Sequence, residues 1–162
     1  MAVVDYFLKI DTIPGESTDA KHKGEIDVLS WSWGATQSSS ASYGGGAGSG
    51  KVSHQPVHCT MKMSKASPKL KLACSNGEHI KSAILVCRKA GKEQQEYLTI
   101  KLHEVLISSY QTGGGGGDDT VPTDQVALNY AKIEMEYKEQ KADGSLGGVV
   151  KSHWSVKENK GG

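Results

Sequence analysis

The stretch "AILVCRKAGKEQQEYLTIKLHEVLISSYQ", residues 83–111, decides the fold. Two runs rich in Ile, Leu, Val and Tyr flank Gly91, which is the composition of two β-strands joined by a turn. In the second run Leu98, Ile100, Leu102 and Leu106 all occupy even positions, so an extended chain carries them on one face. A hairpin with one apolar face needs a core to bury it.

The neighbouring segments supply that core in the same alternating style. "VVDYFLKI" (3–10) places Tyr6, Leu8 and Ile10 on one face and Asp5, Phe7 and Lys9 on the other. "EIDVLSWSWGATQ" (25–37) changes parity: Ile26 and Val28 are followed by Leu29, Trp31 and Trp33. That change predicts a bulge or a strong bend, the device by which a barrel curves its sheet. "DQVALNYAKIEMEYKEQ" (124–140) aligns Ala131, Ile133, Met135 and Tyr137 against Lys132, Glu134 and Glu136. "VVKSHWSVKEN" (149–159) aligns Val150, Trp154 and Val156. A single helix interrupts the strands at about residues 67–76. In "SPKLKLACSNG", Ser67 suits the cap, Pro68 the first helical position and Gly77 the stop, while Leu70, Ala73 and Cys74 form the packing stripe. The expectation is one domain spanning residues 1–162, mainly β, a barrel or two-sheet sandwich of about seven or eight strands with one short flanking helix.

Charge excludes several classes of partner. Lys plus Arg is 19 and Asp plus Glu is 18, a net charge of +1, with no basic stripe or acidic block. Nucleic acid and anionic membrane surfaces are therefore not expected as partners. Asp5, Lys9 and Asp11 interrupt the first apolar run, so no signal-peptide core is read, and no run reaches the ~18 apolar residues of a membrane span. Cys59, Cys74 and Cys87 are odd in number and lack close pairing, which fits reduced thiols in cytoplasm before any export.

Two connections are long, at about 35–51 and 111–123, and the chain's 20 glycines gather in loops such as these. Loops beyond ~12–15 residues are uncommon in compact domains and are usually functional. The first contains Gly45, Gly50 and Lys51 in the spacing of a phosphate-binding loop. The next residue is Val52, which has no hydroxyl for a magnesium ion, and neither a buried strand nor a helix flanks the loop. Nucleotide binding is not expected, and no cofactor is.

Candidate catalytic groups do not assemble. His54, His58 and Cys59 could hold a metal, but Pro56 between the histidines argues for strand or turn, and polar surface residues are the plainer reading. Asp118 and Asp119 beside five glycines read as a solvated loop end rather than an acid–base pair. Two other readings stay open at this point. One is a carbohydrate-binding β-sandwich with Trp31 and Trp33 as a stacking platform. The other is a hydrolase built on His103, Glu104 and the Asp118–Asp119 loop.

Taken together, "GESTDAKHKGEIDVLSWSWG", "SPKLKLACSNGEHI", "EYLTIKLHEVLISSYQTGGGGGDDTVPTDQVALNYAKIEMEY" and "KADGSLGGVVKSHWSVKEN" resemble the haemolysin-coregulated proteins (Hcp) of bacterial type VI secretion, over essentially the whole chain. The resemblance implies a small barrel that forms homo-hexameric rings. Such rings stack into a tube inside a contractile sheath under a VgrG-type spike, leave the cell when the sheath contracts, and can carry or protect small effector proteins in the lumen. It also implies a structural role without catalysis, and a cytoplasmic protein secreted without a cleavable leader. The chain ends soon after the last strand, so no fused toxin domain is expected. By the same resemblance, the loop holding Tyr43, Gly46 and Lys51 is expected to contact the next ring. The loop holding Thr112, Gly115, Asp118 and Asp119 is expected near the lumen and its effectors.

Overall fold

A computed structural model describes residues 4–37, 52–89, 94–117 and 121–162. Along the chain run β1 (Val4–Ile10), β2 (Ile26–Val28), β3 (Ser30–Ser32), β4 (Ala35–Gln37), β5 (Val52–His54), β6 (Val57–Lys62) and α1 (Ser67–Asn76). They are followed by β7 (Ile80–Lys89), β8 (Gln95–Gly113), β9 (Thr123–Gln140), β10 (Leu146–Ser155) and β11 (Lys160–Gly161). The hairpin read from residues 83–111 is present: β7 and β8 pair antiparallel from Ile80 opposite Val105 to Lys89 opposite Gln95. Gly91 lies outside the described residues.

The parity change at Leu29 closes the barrel. β2 pairs with β1, whereas β3, one residue further on, pairs with β6. Leu29 sits in the bend, and its N–H donates to the Thr60 carbonyl at 2.7 Å. β1, β7, β8, β9, β6 and β3 pair in turn, and the chain bend at Leu29 joins β3 to β2, which pairs with β1, so the barrel closes through that bend. β4 and β5 pair with each other at the two ends of the first long connection, whose residues 38–51 lie outside the described residues. Residues 111–113 pair with 123–125 at the two ends of the second. The named strands outnumber the seven or eight expected because of the break at Leu29, this extra pair and the short β11.

β8 and β9 are 19 and 18 residues long and cannot keep one face inward along their whole length. Ile100 and Leu102 point into the core as expected, but Val105 and Ile107 then replace Leu106, which is half-buried. Glu104 between them adopts φ +53°, the backbone adjustment that lets the strand bend round the barrel. β9 switches in step, from Val126 and Leu128 to Ile133. Tyr137, placed on the inward face by alternation, is exposed, as is Val150, because both lie beyond the barrel proper. Trp154 does pack against the core.

Phe7 also departs from its expected surface position, at 4% exposure. Residues 11–25 fold back over it as a strap. His22 stacks on the Phe7 ring at 4.3 Å, and the Arg88 guanidinium lies 4.8 Å from its centroid. Arg88 in turn bonds Asp19 at 2.7 Å and Asp5 at 3.1 Å. The hydrogen bonds from Arg88 hold the Asp19 carboxyl far below the usual range. Gly15 is needed where the strap crosses itself, since a Cβ there would meet the Glu25 carbonyl oxygen at 2.5 Å.

The helix occupies residues 67–76 as read, with Leu70 and Ala73 fully buried, Cys74 half-buried and Gly77 closing it at φ +67°. Its start differs. Ala66 holds the cap position and no side chain caps the helix, while Ser67 lies inside it and bonds Asp124 of β9 instead.

Candidate functional site: a polar sheet face with two open edges

Four strand segments, β3, β6, the first half of β9 and the last third of β8, lie side by side in that order. Their alternation is regular in β3 and β6 and interrupted in β9, where Ala127 is buried between Val126 and Leu128, and in β8, where the register shifts between Ile107 and Ser109. Trp31 packs on the core while Ser30 and Ser32 are exposed. Val57, Cys59 and Met61 are buried, leaving His58, Thr60 and Lys62 outside. In β9, Asp124, Val126 and Leu128 face inward, leaving Thr123 and Gln125 outward. The registers line these outward residues into cross-strand rows. Ser30, Thr60, Gln125 and Gln111 form one row. Ser32, His58 and Ser109 lie in the next, with the buried Ala127 between His58 and Ser109. A shallow cleft of about 240 Å³ follows these rows between His58, Thr60, Ser109, Gln111 and Gln125. Lys62, at one end, brings the face's formal charge among the described residues.

Among the described residues both margins of this face are open. Among the described residues no strand pairs with β3 on the side away from β6. β8 loses β7 at Val105, so among the described residues Leu106–Gly113 has a strand on one side only. Unpaired strand edges present rows of N–H and C=O groups ready to receive another chain.

The other halves of β8 and β9 carry charge on their outer face. His103 Nε2 lies 2.6 Å from Glu134, Lys101 Nζ 3.8 Å from Glu136 and Lys132 Nζ 3.9 Å from Glu134. The His103 hydrogen bond holds the Glu134 carboxyl below its ordinary range. β10 sets Lys151 opposite Glu136 and His153 opposite Glu134.

The other candidates separate. His103 is engaged by Glu134 rather than Glu104, and Asp118 and Asp119, the other members of the hydrolase reading, lie outside the described residues. Trp31 meets Tyr6 edge-on in the core, whereas Trp33 donates from Nε1 to the Tyr130 hydroxyl at 2.5 Å, so the two indoles make no common platform. Trp33, His54 and Trp154 instead line an apolar groove of about 560 Å³ beneath the β4–β5 pair. Cys59 points inward, its thiol pushed up to about 12 by burial, while His58 beside it points out. Among the described residues no group of three or more His, Cys, Asp or Glu could hold a metal. Thr112 and Gly115 are exposed beside the polar face, Thr112 opposite Asp124 across the ladder. Tyr43, Gly46 and Lys51 lie outside the described residues. Sequence reasoning missed the polar face, although the alternation of "VHCTMK" was visible, because its rows join residues tens of positions apart.

Comparison with known proteins covers the whole of this architecture. Residues 7–137 match the family described as "Type VI secretion system effector, Hcp". The Pseudomonas aeruginosa protein hcp1 is 51% identical over 158 residues, 96% of this chain and 97% of that one. Among solved structures, Hcp1 from Salmonella typhimurium superposes with a TM-score of 0.82 at 33% identity, covering 99% of both chains. A structure titled as a type six secretion system protein gives 0.91 at 31% identity, covering 98% of this chain and 99% of that one. Among the described residues no helix is long and apolar enough to cross a membrane.

Proposed function

The chain belongs to the Hcp family of type VI secretion, and on that premise we propose that it is the tube subunit, working as a homo-hexameric ring. The observation that carries this reading is the four-stranded polar face with an open edge at each margin. The two edges belong to different strands, β3 and β8, so self-association joins unlike surfaces. Head-to-tail contacts of that kind close into a ring when the rotation divides a full turn. Pairing the β3 edge of one copy with the β8 edge of the next continues the sheet round the ring and lines its lumen with Ser, Thr and Gln side chains.

Such a lumen suits cargo. Uncharged hydroxyls and amides bond varied protein surfaces, whereas a strongly charged wall would select or trap cargo by sign. In this reading the rings stack under a VgrG-type spike within the contractile sheath, and the protein is cytoplasmic until firing exports it without a cleaved leader. It has no catalytic role. The loop with Tyr43, Gly46 and Lys51 serves ring-to-ring contact, and Thr112, Gly115, Asp118 and Asp119 stand at the lumen rim.

Light scattering on the purified protein tests the first step. A hexamer mass is expected, and a monomer at micromolar concentration removes the ring. Deleting Tyr43 to Gly50 is expected to keep rings but abolish tube growth and secretion. Gly115→Gln, which meets open space, is expected to leave rings and export intact while lowering effector co-purification. Unchanged effector levels would move cargo recognition onto the sheet face alone.

A further inference from the structure

Asp124 is fully buried, and its partners among the described residues are two hydroxyls rather than a cation. Ser67 Oγ, in the first turn of α1, donates to Oδ2. The Tyr110 hydroxyl, from the part of β8 that has lost β7, donates to Oδ1 at 3.2 Å. Ser67 Oγ also accepts the Ser64 N–H at 3.0 Å, which ties in the turn entering the helix. Three elements thus meet on one carboxyl group: the uncapped start of α1, the β9 strand and the unsupported end of β8.

Burying such a group is costly unless its bonds are made, and a well-packed apolar trio can replace it without loss of stability. Its retention here is explained by position rather than by energy. Past Val105 the strand from Leu106 to Gly113 is paired on one side by β9, and α1 is tied to it through Ser67, which shares Asp124 with Tyr110. Tyr110 sits in the middle of that stretch, and Thr112, two residues on, pairs with Asp124 itself across the ladder. A strand edge that receives a neighbouring chain must be held straight beforehand, or ordering it is subtracted from the affinity.

We propose that the Ser67–Asp124–Tyr110 node is a positioning device for assembly, holding the open β8 edge in the shape that the next copy's β3 edge requires. This rests on the ring reading above, and it makes α1 part of the assembly apparatus rather than a cover for the core. The node acts through β8, since its three side chains bond one another inside the subunit.

Tyr110→Phe keeps the ring volume and removes one hydroxyl. We expect its far-ultraviolet circular dichroism to match the wild type, while amide hydrogen exchange in Leu106–Gly113 of the dissociated subunit quickens about tenfold. The concentration at which rings dissociate is expected to rise by about the same factor. The combined replacement Ser67→Ala, Asp124→Leu, Tyr110→Phe separates positioning from stability. It is expected to melt no lower than wild type and still to form weaker rings. Loss of melting temperature and ring affinity in proportion, or faster exchange confined to α1 with rings unchanged, overturns the proposal. A wild-type protein that is monomeric at every concentration overturns the ring reading instead. Exchange at Leu106–Gly113 then decides the bracing role by itself.

Discussion

The outer surfaces of β8 and β9 differ from one end to the other, though the same two strands build both. Toward the free end of β8 the face is Gln111, Ser109, Gln125 and Thr60, uncharged and bordered by unpaired edges. Toward the hairpin it is Lys101, His103, Glu134 and Glu136, charged and paired across the ladder. Charges satisfied by neighbours on the same sheet suit permanent contact with water. Hydrogen-bonding groups beside an open edge suit a second chain. One strand pair can serve both purposes because Glu104 and its surroundings turn the strands through the barrel, so that each half belongs to a different wall.

The two halves share one core, and the largest effects fall there. Leu102→Ala in the charged half and Leu128→Ala in the polar half should each lower stability by about 2–5 kcal/mol in urea unfolding. Both residues are at or below 2% exposure. A marked inequality between them would show that the halves unfold separately, which would break the comparison at its root.

The next effect distinguishes the outer faces. Thr60→Glu with Gln125→Glu sets two carboxylates side by side in the polar rows. Monomer stability should change by under ~1 kcal/mol, as like charges opposite one another on a sheet cost little in water. Ring formation or effector retention should fall at least about tenfold in light scattering or co-purification, since in the proposed ring six copies would repeat the charge. Two carboxylates placed instead at Thr99 and Lys138 in the charged half should leave assembly alone. Equal effects at both places would erase the functional difference.

Acid sharpens the charged half. Glu134 is depressed by its bond from His103, so it contributes stability above the unfolded carboxyl value, and that contribution disappears as pH falls through the lower folded value. Glu134→Gln should therefore flatten stability against pH below about pH 4.5 and change little at neutrality. A variant that keeps the full acid dependence would place the acid-sensitive group elsewhere, with Asp19 beside Arg88 the first to examine. The smallest effect belongs to Lys101→Ala. Its ion pair with Glu136 is long and exposed, so a loss of no more than about 0.5 kcal/mol is expected.

The elements read most directly from the chain were those governed by local rules. Residues 83–111 hold the paired strands β7 and β8 because alternation is a property of neighbouring residues. Helix α1 ran from Ser67 to Asn76 because Pro68 and Gly77 mark ends by their own backbone preferences. The bend at Leu29 showed as a parity change for the same reason. Resemblance across four motifs reached the family, which no single motif did.

Where the sequence misled, a distant segment had intervened. Alternation placed Phe7 outside, but the strap carrying His22 covers it. Propensity made Ser67 a cap, but Asp124, 57 positions away in the chain, takes its hydroxyl. The pattern of even residues ran on to Leu106, but the curvature of a closed barrel turned Val105 and Ile107 inward in its place. By itself the sequence determined the strands, the helix, the closing bend and the family, since each is written in spacing or in side-chain type. The tertiary structure alone decided which polar residues share a face, which edges stay open and where the buried carboxyl group sits. Strand pairing brings Ser30, Thr60, Gln111 and Gln125 together from across the chain, and spacing along the sequence carries no record of that register.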